Sequence, residues 1–159
     1  MAQIIAYPSA DKVSADDCLL GTQKDQGTSN ITNPTKNFSV DSVVQAGLGY
    51  TAYTALLTQG GASAPVATVL KNNTEATYTW SRSGIGEYAI TANTAVFDAT
   101  KTLVFGNIGK RPPENVYFRW YVVSNVEISV STYVAVDGQP GDPVDDAFEK
   151  GSFEIRIYL

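Results

Sequence analysis

Along the last stretch of the chain, Phe153, Ile155, Ile157 and Leu159 alternate with Ser152, Glu154, Arg156 and Tyr158. A period of two predicts a half-buried β-strand, because successive side chains of an extended chain point to opposite faces. A chain end ordered in this way is expected to be tied into a sheet rather than frayed. The same alternation recurs upstream, and from Leu48 onward the chain reads as strand after strand. Strands are predicted over Tyr50 to Thr58, Val66 to Leu70, Ala76 to Ser81, Glu87 to Thr91, Thr102 to Phe105, Val116 to Val123 and Val126 to Thr132. Turn residues separate them: Gln59 to Pro65, Asn72-Asn73, Ser83 to Gly86, and the loop from Gly106 to Asn115 with its two prolines. Asp137 to Gly151 reads as a long acidic loop. Strands at roughly eight- to twelve-residue intervals with turns between them predict an all-β fold, an antiparallel, jelly-roll-like β-sandwich.

The segment before Leu48 has a different texture, rich in Ser, Thr, Asn, Asp and Lys with small apolar islands. Asp17 to Gln23 and Lys36 to Val40 flank a polar, turn-rich loop and predict a small hairpin. Ser39 is placed to cap a short helix over Val40 to Ala46, with Gly47 as its stop. Residues 1–47 have too few apolar side chains to form a core alone, so they are read as a polar arm for docking or oligomerisation. Residues 48–159 are read as the β-sandwich domain.

Composition agrees with strands. The 159 residues include nine Tyr, six Phe and two Trp but a single Met, and aromatic residues favour pleated surfaces. The net charge of −5 argues against a nucleic-acid partner, since binding phosphates requires clustered Lys and Arg. Cys18 is the only cysteine, so no intrachain disulfide or cysteine-based zinc site is expected. Neither a signal peptide nor a membrane-spanning helix is read in the chain, and membrane insertion is not expected. The sequons at Asn30, Asn37 and Asn72 are then chance matches.

Catalytic chemistry finds little support. The chain has no His, the usual base of a nucleophilic triad, and no phosphate-binding or nucleophile-elbow motif is present. No cofactor is expected. Asp16-Asp17 and Asp145-Asp146 are sequence neighbours, which point to opposite faces when extended and so read as surface charge rather than a glycosidase pair. In the acidic loop, Asp142, Asp145 and Asp146 are the residues that a calcium ion would use, although their spacing is not that of an EF-hand. The aromatic strands carry more promise. Trp80, Tyr117, Arg119 and Tyr121 include the residue types enriched at interaction hot spots, and they form a candidate surface for a glycan or protein partner.

Two segments resemble a known class. Ala15-Asp-Asp-Cys-Leu-Leu-Gly-Thr-Gln23, followed by Thr35-Lys-Asn-Phe-Ser-Val-Asp-Ser-Val43, resembles the N-terminal segment of tailed-phage virion and tail-fibre proteins. Tyr53 to Leu70 together with Phe153 to Tyr158 resembles a β-domain in structural proteins of phages infecting Bacteroidetes, crAss-like phages included. The resemblance covers most of the chain and carries no catalytic residues. It implies a virion surface component made in the host cytoplasm: a capsid decoration protein, a head fibre or a part of a tail fibre. It also implies a homo-oligomer, commonly a trimer, that contacts other virion proteins such as the major capsid or a neighbouring fibre protein. Ile4, Ile5, Tyr7, Leu19, Leu20 and Phe38 are the apolar residues expected to dock. The alternative is a carbohydrate-binding or adhesin module of a tail fibre.

Overall fold

The computed structural model describes residues 17–22, 35–109, 116–136 and 139–159. The chain divides into two compact units, Met1–Gly49 and Tyr50–Leu159.

In the first unit, β1 (Cys18–Thr22) pairs antiparallel with β2 (Thr35–Ser39), Cys18 opposite Ser39 and Thr22 opposite Thr35. The expected hairpin is therefore present. Helix α1 (Val40–Leu48) follows without a break. Ser39 is extended and its Oγ accepts a hydrogen bond from the Ser42 amide at 3.1 Å, which satisfies one of the donors that a helix N-terminus leaves unpaired. The helix runs past Gly47, contrary to the expected stop. Gly47 is accommodated inside it, and the end comes at Gly49, which takes the left-handed conformation (φ 67°) that glycine adopts without strain.

The second unit is an all-β sandwich with antiparallel pairing throughout. Its strands are β3 (Tyr50–Thr58), β4 (Val66–Asn72), β5 (Tyr78–Gly84), β6 (Glu87–Ala92), β7 (Thr102–Gly106), β8 (Val116–Ser124), β9 (Glu127–Val136), β10 (Gln139–Pro143) and β11 (Glu149–Tyr158). One sheet has the order β4-β3-β11-β7. In the other, β5, β6 and β9 lie side by side and β8 lines the free edge of β9. The opposite edge of β9 is shared: β6 pairs with Glu127 to Ser131, and β10 with Tyr133 to Val136. Strand β10 and the early start of β11 correct the expectation of a continuous acidic loop from Asp137 to Gly151. Pro- and Gly-rich composition concealed a short strand that needs only a few backbone pairs along an edge.

The inward residues of each sheet meet in a single core. Tyr53, Ala55, Leu57, Phe153 and Ile155 come from one sheet, and Trp80, Tyr88, Ile90, Ile128 and Val130 from the other. Aromatic contacts join the two: the Trp80 and Phe153 rings meet edge to face at 4.9 Å, and Tyr53 and Tyr78 lie 4.4 Å apart. Strand β11 is central, paired with β3 from Glu149 to Tyr158 and with β7 from Phe153 to Ile157. The terminal strand is thus held on both edges.

Candidate interaction surfaces

Helix α1 carries apolar residues at Val40, Val43, Val44 and Leu48, the i, i+3, i+4 and i+8 spacing of one helical face. None of the helix residues is buried. Val43, Val44 and Leu48 are 45%, 51% and 39% exposed. On the adjoining hairpin Leu19 is exposed and Phe38 half-buried. Of the other expected docking residues, Ile4, Ile5 and Tyr7 lie outside the described residues, as does the side chain of Leu20. The sequence reading overlooked Val43, Val44 and Leu48 as docking residues, although their spacing within the expected helix was the signal.

The candidate aromatic surface separates into two environments. Trp80 corrects the expectation: it is buried, opposite Ile90 on the inner face, and packs against Phe153 and Phe148. The remaining three residues lie on the outward set of β8, since Val116, Phe118, Trp120 and Val122 pack against the core. Tyr121 and Arg119 are exposed, and Tyr117 is half-buried. Tyr117 stands 6.0 Å from Tyr133 on β9, and the Arg119 guanidinium lies 5.9 Å from the Tyr133 ring. Beyond them, Glu87 of β6 accepts a hydrogen bond from Ser131 Oγ at 2.8 Å and a long one from Tyr133 Oη at 3.5 Å. Tyr133 and Glu87 escaped the sequence reading because their place beside Arg119 depends on pairing between strands.

The outer face of the other sheet is more apolar. The Arg156 guanidinium lies 4.9 Å from both the Tyr50 and Phe105 rings and is ion-paired with Glu154. Tyr158 packs on Tyr50 at 5.4 Å, and Leu103 and Phe105 are exposed alongside. This is the outward set of the alternating terminal strand, extended across its neighbours.

The acidic segment before β11 is knotted onto two turns of the sandwich. Asp145 Oδ1 accepts from Arg82 Nε at 2.9 Å, from the Gly86 amide at 3.0 Å and from Tyr88 Oη at 3.1 Å. Its Oδ2 accepts from the Arg82 terminal nitrogen at 2.6 Å. The Arg82 hydrogen bonds, followed by those of Gly86 and Tyr88, overcome desolvation and hold the Asp145 carboxyl far below the usual carboxylate range. Asp146 accepts from the Gly61 amide at 3.2 Å, while Asp142 is exposed on β10. The three calcium candidates are thus differently employed, with the Asp145 lone pairs turned towards protein donors. Among the described residues, no group of three or more His, Cys, Asp or Glu side chains is placed to hold a metal ion. Likewise, no helix among them is long and apolar enough to cross a membrane. Comparison with protein families, with characterised proteins and with solved structures finds no match, so the functional reading rests on these surfaces.

Proposed function

We propose that this protein is a non-enzymatic structural component of a phage virion, a capsid decoration or head-fibre part. Its N-terminal unit docks on a neighbouring virion protein and self-associates, as a homotrimer, while the sandwich is displayed at the particle surface. The observation that carries this reading is the uncovered apolar face of α1. A nine-residue helix is marginal by itself in water, and helices of this length normally draw their stability from burying an apolar stripe. In α1 no residue of that stripe is buried: Val40 is half-buried, and Val43, Val44 and Leu48 are exposed. Burying Val43, Val44 and Leu48 on a partner would contribute about 1.5–3 kcal/mol each, enough to favour an assembled state. The resemblance of the segments Ala15–Gln23 and Thr35–Val43 to the N-terminal segment of tailed-phage virion and tail-fibre proteins supports the same reading.

The test is the mass of the full chain in solution, with and without Val43→Asp and Val44→Asp together. The wild-type chain should scatter light as a trimer and incorporate into particles when co-expressed with the virion proteins. The double variant should be a monomer with unchanged near-ultraviolet circular dichroism, and should be missing from purified particles. A monomeric wild type that also fails to join particles would overturn the reading.

A further inference from the structure

The outer face of the β5-β6-β9-β8 sheet carries a lane of short side chains that runs across the strands. Register places Tyr121 opposite Ser129, Ser129 opposite Ala89, and Ala89 opposite Ser81. Their chain neighbours Ile128, Val130 and Ile90 are fully buried and Trp80 nearly so, which fixes this row as outward-facing. The adjacent rows stand about 7 Å to either side, and the lane crosses four strands, about 14 Å. One bordering row is Arg119, Ser131 and Glu87; the other is Glu127, Thr91 and Thr79. The floor is therefore low, its borders hold hydroxyl, carboxylate and guanidinium groups, and one end is closed by a tyrosine that is 60% exposed.

We infer that this lane is a binding site for a neutral oligosaccharide. Sugar rings present both faces of C–H bonds and a fringe of hydroxyls. An accessible, flat tyrosine stacks on the first, and paired donors and acceptors at fixed positions meet the second. Glu87 is already oriented by Ser131 Oγ at 2.8 Å, and Arg119 is seated near the Tyr133 ring, so little freedom is lost on binding. A protein partner fits less well, because the lane offers only Tyr121, with Val123 beside it, as exposed apolar side chains, in contrast to the opposite sheet with Leu103, Phe105, Tyr158 and the rings around Arg156. Charge selects the sugar class. The two borders carry two carboxylates, Glu87 and Glu127, against one guanidinium, Arg119, on a chain of net charge −5, so acidic polysaccharides are repelled. This inference does not depend on the docking role of the N-terminal unit.

The full-length chain, labelled with ¹⁵N, is titrated with cellotetraose, maltotetraose, mannotetraose, xylotetraose and tetra-N-acetylchitotetraose, and with oligogalacturonate as the acidic probe. At least one neutral probe should shift the amides of Ser81, Ala89, Tyr121 and Ser129. Tyr121→Ala should weaken that binding about tenfold, the size expected for loss of one aromatic contact. Ala89→Leu, which raises the floor at a solvent-facing position, should abolish it. Phe105→Ala, on the opposite sheet, should leave it unchanged. The inference is overturned if no neutral probe shifts these amides, if the shifts fall on the opposite sheet, if either lane variant binds as the wild type does, or if oligogalacturonate binds more tightly.

Discussion

A few side chains settle local geometry that no strand pattern announces. Gly86 is one: its φ is 65°, and a Cβ there would lie 2.6 Å from the Thr132 carbonyl and 2.8 Å from the Val144 amide. Only glycine lets the β5–β6 turn approach β9 and the acidic segment this closely. Asp145 is the second, gathering Arg82, Gly86 and Tyr88 around one carboxylate. Asp145→Ala leaves those donors without their acceptor and should destabilise the sandwich by about 2 kcal/mol at neutral pH, measured by urea unfolding. The pH dependence follows from the direction of the shift. The folded-state value lies below that of the unfolded chain, so the stabilisation is complete above the unfolded carboxylate value of about 3.9. It is lost as pH falls from there towards the folded-state value. The difference between wild type and Asp145→Ala should therefore narrow between pH 5 and pH 2 on repeating the unfolding series, values chosen to bracket that range. A gap that stays constant across it would show that Asp145 acts by shape rather than by charge. From the sequence this carboxylate reads as surface charge or as one of three calcium candidates; the structure instead pairs it with Arg82 and leaves its side chain only 17% exposed. Arg82 lies 63 residues away, and nothing local connects the two.

Among the elements, β11 has the greatest structural consequence. Its alternation was legible in the sequence because the period of two is a property of one strand, set by the backbone and by which face is buried. The chain could not disclose that β11 lies between β3 and β7, since neighbour choice is a contest among all strands. Ile155→Ala, at a position with no exposure, should cost about 3 kcal/mol by the same unfolding measurement. Removing residues 154–159 strips nearly all of the β7 ladder and the second half of the β3 ladder, together with Ile155 of the core, and should exceed the net stability of an ordinary domain, about 5–15 kcal/mol. That truncated chain should show no dispersed amide spectrum; a dispersed one would mean that β3 and β7 close the sheet without β11. Helix α1 gives the opposite lesson. Its cap at Ser39 and its start were readable from local chemistry, but its end was placed two residues early. Gly47 and Gly49 are equivalent in sequence, and only the left-handed turn at Gly49 distinguishes them.

Across the whole molecule, the two units keep their apolar residues in different states. Among the described residues, every buried member of the sandwich core lies between Tyr53 and Ile155, so residues 50–159 are expected to fold on their own. Expressed alone, this fragment should reproduce the sandwich amide resonances of the full chain and unfold at the same urea concentration. A fragment that binds hydrophobic dyes and lacks a cooperative transition would show that the first unit contributes to the core. The first unit, by contrast, exposes its apolar helix face.

The sequence by itself determined the strand-rich class, the identity of most strands, the alternation within each and the capped start of the helix, because these depend on residues within a few positions of one another. Only the tertiary structure decided that Trp80 is a core residue, that β10 pairs along β9, that Asp145 meets Arg82, and that Tyr121, Ser129, Ala89 and Ser81 line up in one row. Each of these depends on register between strands distant in sequence. That register is set by the simultaneous burial of both sheet faces, and a single strand carries no record of it.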